Sequence, residues 1–111
     1  MRGATADMGG GNCLPLDESV FQNGFTLILS KLRSRKVWLC EGEKEIARIS
    51  FAGFSNLLLW RPGNARMICI EPWHNLPDVV GEKVEFSVRE GIMCIPPQGV
   101  KRFVREIEYK D

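Results

Sequence analysis

Apolar side chains recur along this chain in short runs of β type rather than at helical spacing. The candidate strands are residues 25–30, 37–40, 46–51, 57–60, 67–71, 84–88, 91–95 and 100–109. Turn-forming pieces such as Glu41-Gly42-Glu43, Arg61-Pro62-Gly63-Asn64 and Pro96-Pro97-Gln98-Gly99 separate them. Strands this short, at this spacing, predict an all-β antiparallel sandwich or barrel. The helical hint is a turn over 17–21, where Asp17 can cap the backbone amides that follow. Two runs alternate poorly. Val37-Trp38-Leu39-Cys40 and Met67-Ile68-Cys69-Ile70 are apolar on both faces, and such strands are normally covered on both sides. Either they lie at the centre of a sandwich or another piece of protein covers them. For residues 67–71 the expectation is a central strand.

Residues 1–12 are Gly-rich and read as a flexible tail, ahead of a domain that runs over 13–111. Gly9, Gly10 and Gly11 are no nucleotide loop, since no strand precedes them and no amphipathic helix follows. At 44% hydrophobic and 26% charged, the 111 residues can build one small domain with a modest core, which argues against disorder. A net charge of +1 lacks the electrostatic footprint of a nucleic-acid binder. The basic run Lys31, Arg33, Arg35, Lys36 reads as a solvated turn rather than a phosphate site. No apolar run approaches membrane-spanning length, and residues 1–12 hold no secretory h-region. Cys40, Cys69 and Cys94 each sit in an apolar stretch and read as reduced, small core residues. A cytoplasmic location is the expectation that follows. No Cys/His spacing supports a metal site, and the one histidine has no triad context.

The most informative segment is Ile68-Cys69-Ile70-Glu71-Pro72-Trp73-His74-Asn75-Leu76-Pro77-Asp78. Glu71 ends an apolar run, and Pro72 is expected to stop ladder pairing there. Period-two geometry puts Glu71 on the face of Met67 and Cys69. A carboxylate so placed, beside Trp73, would be partly desolvated, the setting that suits a general base. The plain alternative is a strand-end glutamate open to water. Trp60 and Trp73 either stack on a sugar ring or fill the core. Asp78 either binds a hydroxyl or forms the turn that an aspartate after proline favours.

Cys69-Ile70-Glu71-Pro72-Trp73, followed by Pro77-Asp78, resembles the catalytic-glutamate segment of the aldose 1-epimerase (galactose mutarotase-like) family. Leu14-Pro15-Leu16-Asp17 with Phe21, then Leu32, Ser34 and Val37-Trp38-Leu39, then Gly53-Phe54 through Leu59-Trp60 and Pro62-Gly63, resemble further pieces in the same order. The resemblance is nearest the bacterial epimerase-like branch and runs from about Asn12 to the end. It implies the C-terminal portion of a β-supersandwich, with the sugar site in a concave sheet. It also implies a reaction without a cofactor, in which a glutamate takes the proton of the anomeric hydroxyl and a histidine protonates the ring oxygen. The ring opens, the C1–C2 bond rotates and the ring closes as the other anomer. Glu71 falls on the position of the base, and Trp73, His74 and Asp78 are the candidate substrate-binding residues beside it.

The departures define the alternatives. Family members are longer, and their acid histidine lies N-terminal to the region matched. The one histidine here, His74, three residues past Glu71, reads as a rim or stacking residue rather than the acid. Gly24 falls where many members carry a sugar-binding aspartate. The implied partners are a small aldose and either the missing N-terminal half of the domain or a second copy of the chain. The competing reading is a non-catalytic carbohydrate-binding or interaction module. Hexose-phosphate epimerisation would need an arginine cluster that the sequence does not display.

Overall fold

The computed structural model describes residues 13–17, 20–21, 24–63, 65–79 and 81–110. Among these residues the architecture is all-β, with six antiparallel strands in two three-stranded sheets. Strands β1 (Leu27–Ser30), β4 (Asn56–Trp60) and β5 (Cys69–Trp73) form the first sheet, in the order β1-β4-β5. Strands β2 (Lys36–Glu41), β3 (Lys44–Ser50) and β6 (Glu106–Tyr109) form the second, in the order β2-β3-β6. The chain leaves the first sheet after β1, makes the β2–β3 hairpin, and returns as β4 to pair with β1. A long segment after β5 then reaches the second sheet as β6. The predicted flexible tail at 1–12 lies outside the described residues.

The hairpin follows from its turn chemistry. Two residues, Gly42 and Glu43, connect Glu41 to its register partner Lys44. Only Gly42 takes a positive φ, +60°, as a type II′ turn requires at its first central position. The turns at 61–65 and 96–99 also form, closed by hydrogen bonds from the Ala65 amide to the Pro62 carbonyl (3.0 Å) and from the Gly99 amide to the Pro96 carbonyl (2.8 Å). At the expected 17–21 turn, the Val20 amide donates to the Asp17 carbonyl at 3.3 Å.

The core is built by Phe21, Phe51, Leu57 and Leu59. Leu27 and Leu29 of β1 and Ile70 of β5 pack on it from the first sheet. Val37 of β2, with Phe51 just beyond β3, brings the second sheet onto the same core. Arg35 fastens the two linking loops together. Its guanidinium donates to the carbonyls of Phe54 (2.6 Å) and Leu32 and lies 5.1 Å from the centre of the Phe51 ring. Of the basic run, Lys31, Arg33 and Lys36 are exposed, as a solvated turn predicts.

Several expectations are corrected. Residues 67–71 do not form a central strand; β5 is an edge strand and begins at Cys69. β4 holds the centre because its Leu57, Leu58 and Leu59 are buried on both faces. Pro72 does not end the strand but sits inside β5 opposite Leu57, which an edge position tolerates. β2 is likewise an edge strand, with Trp38 half-exposed on the face away from the core. Residues 84–88 form a 3-10 turn at Phe86–Val88 rather than a strand, 91–95 is unpaired, and only Glu106–Tyr109 of 100–109 joins a sheet. Cys40 and Cys94 are exposed thiols rather than core residues, and Cys69 is half-buried.

Candidate functional site

Glu71 stands on the face of the first sheet that turns away from the Leu57–Leu59 core. The registers fix this. Leu57 and Leu59 face the core with Leu27, Leu29 and Ile70. Period-two alternation therefore puts Leu58 on the opposite face, in one cross-strand row with Ile28 and Glu71. On either side lie the Asn56–Trp73 and Trp60–Cys69 pairs. Glu71 is half-buried, and its row partner Leu58 is buried. Among the described residues no side-chain hydrogen bond or ion pair engages the Glu71 carboxylate. That leaves a carboxylate between an apolar row and two tryptophans.

The two tryptophans differ in what they are already doing. The Trp60 indole N–H donates to the Gly24 carbonyl at 3.2 Å. Gly24 takes φ +70°, a conformation glycine adopts without the penalty of a Cβ. This pair ties the approach to β1 to the end of β4. Trp73, at the end of β5, keeps more than a third of its surface exposed.

Beside Trp73 opens a cleft of about 390 Å³, lined by Phe54, Pro72, Trp73, His74, Asn75 and Phe103. His74 is held there by rings. Its imidazole stacks on Phe54 (centroids 5.0 Å apart, planes at 28°) and meets Phe103 edge-on at 4.9 Å. Burial, with the Lys101 ammonium as a second cause, holds the His74 pKa below the ordinary histidine value. The backbone at this point is anchored from β4, where the buried Asn56 amide donates to the His74 carbonyl at 2.9 Å.

The loop after β5 is braced by the turn at 89–92. Asp78 forms an ion pair with Arg89, and the Asn75 amide donates to the Glu90 carbonyl at 3.3 Å. Gly91, at φ +80°, lets this turn lie directly on the loop, for a Cβ there would be 2.6 Å from the His74 carbonyl oxygen. Of the four residues singled out, Trp73 and His74 line one cleft. Asp78 lies on the adjoining loop with its carboxylate on Arg89. Glu71 sits two positions before Trp73 on the same face of β5 and is not part of the cleft lining. Phe103 and Asn56 belong to the site as well. Phe103 comes from the distant segment before β6 and carries no local signal. Asn56, a polar residue opening an apolar run, was the legible clue to a buried hydrogen bond.

Among the described residues no group of three or more His, Cys, Asp or Glu side chains is placed to hold a metal ion. No helix among them is long and apolar enough to cross a membrane. No family model matches the chain, and neither a curated protein nor a solved structure matches it.

Proposed function

We propose that this chain is the C-terminal portion of an aldose 1-epimerase-like domain, a β-supersandwich that acts on a free aldose. In this reading Glu71 is the general base for the anomeric hydroxyl. The observation that carries it is the Glu71 carboxylate on the sheet face away from the core, unengaged among the described residues and flanked by Trp73 and Trp60. A base must be free to take a proton, and no other described side chain occupies this carboxylate. Trp73 offers an exposed ring to the apolar C–H face of a pyranose. Asp78, held by Arg89, orders the loop and keeps an exposed oxygen for a hydroxyl. The acid that protonates the ring oxygen comes from protein outside this chain. His74 is a wall residue, since its ring is already in contact with two others.

A second reading, a non-catalytic carbohydrate-binding module, is favoured by one observation. The open aromatic cleft has Trp73 and His74 in its wall but not Glu71. Ligand-observed NMR with galactose and glucose separates the two. Both readings expect saturation transfer to the sugar that Trp73→Ala abolishes. The epimerase reading expects transfer strongest at the anomeric proton and altered by Glu71→Gln. The binding-module reading expects transfer indifferent to that substitution. Absence of any sugar signal, with the wild-type chain folded, would contradict both.

A further inference from the structure

We propose that the Phe54–His74–Phe103 stack is an acid-released latch, in which neutral His74 holds the segment leading into β6 over the cleft and protonated His74 lets it go. The three rings come from three separate places. Phe54 lies in the β3–β4 connection, His74 directly follows β5, and Phe103 precedes β6. Each ring contacts both others, with the Phe54–Phe103 centroids 5.9 Å apart. The stack therefore joins a segment that is otherwise exposed from 93 to 110 to the end of the first sheet.

The imidazole at the middle of the stack is poorly placed to carry charge. Its Nε2 is buried and has no hydrogen-bond partner among the described residues. A proton added to the ring there would meet no acceptor, and burying an unpaired charge is unfavourable. An imidazolium is attracted to an aromatic face, which works the other way. The charged groups around the ring do not help it. Lys101, on the same segment as Phe103, repels a cation at His74. Arg35 is a further cation near the stack, donating to the Phe54 carbonyl. Across the 89–92 turn, Arg89 and Asp78 neutralise each other, and Glu90 meets Asn75 through its backbone carbonyl. The balance favours the neutral ring, with burial the larger cause and Lys101 the second. Because the folded-state pKa lies below the unfolded value of 6.5, the latch is complete above that pH. It is lost as pH falls through the lowered folded value. Phe103 is a wall of the cleft, so release also opens the cleft. The inference is independent of which ligand the cleft takes.

Hydrogen-exchange mass spectrometry of the whole chain tests this without any sugar. Uptake is compared near neutral pH and at about pH 5, after correction for intrinsic exchange. Peptides covering 103–110, whose β6 amides bond to β3, are expected to exchange several-fold faster in acid, while β4 is unchanged. In His74→Phe, which keeps a ring and removes the titration, the acid effect should vanish. Equal protection of 103–110 at both pH values in the wild type would overturn the latch, as would the same loosening in His74→Phe. An NMR titration of the His74 ring in the wild type is the second readout. A midpoint at or above 6.5 would overturn the latch whether or not the variant folds.

Discussion

Gly91 is the residue whose place in the structure is most sharply defined by what it lacks. A methyl group there would collide with the His74 carbonyl, and the backbone at φ +80° disfavours any side chain. The turn at 89–92 would then lift from the loop that carries His74, Asn75 and Asp78. Gly91→Ala should cost more than about 1 kcal/mol, read as a fall in the urea midpoint. An unchanged midpoint would show that this turn does not brace the loop. At the same scale the sequence was informative about residue types and less so about neighbours. The Glu71 to Asp78 segment stood out through its proline, tryptophan and carboxylates. Gly24 stood out as a departure, and its structural reason, a left-handed backbone below the Trp60 indole, was not legible. Phe54 and Phe103 could not have been paired with His74 from sequence, because ring contacts across such separations leave no local trace.

At the level of elements, hydrophobic pattern located five strands well and ranked them badly. The runs near 25–30, 37–40, 46–51, 57–60 and 67–71 all become strands. The two-faced apolar character that marks a central strand belongs most fully to β4, with Leu57, Leu58 and Leu59 all buried. Runs 84–88 and 91–95 have strand composition, yet among the described residues no neighbouring strand offers them a ladder. β propensity reflects packing against neighbours, so it cannot make a strand alone. Leu58 gives the element-scale prediction. It is buried on the face of Glu71, outside the main core cluster, between Ile28 and Glu71. Leu58→Ala should destabilise by about 2–5 kcal/mol in chemical denaturation and disturb Glu71 before the Phe51–Leu57–Leu59 core. A loss below that range would mean that this face is loosely packed.

Across the whole molecule the main feature is apolar surface left exposed among the described residues. Val84, Phe86, Val88, Ile95, Val100, Val104 and Tyr109 are each more than half exposed. Ile107 shares a sheet face with the buried Ile49, its register partner, yet is itself exposed. The radius of gyration, 15.8 Å, exceeds the roughly 13 Å of a compact domain of about 100 residues. Apolar area on this scale suits a surface that other protein covers, in keeping with a proposed domain whose other half carries the acid. The most direct test is polarimetry of α-to-β galactose interconversion, with this chain joined to the N-terminal portion of an aldose 1-epimerase-family domain. The proposed function predicts acceleration that Glu71→Gln lowers by about a hundred- to ten-thousand-fold, while His74→Ala lowers it far less. An assembled protein without acceleration, or one in which Glu71→Gln is fully active and His74→Ala inactive, would contradict it.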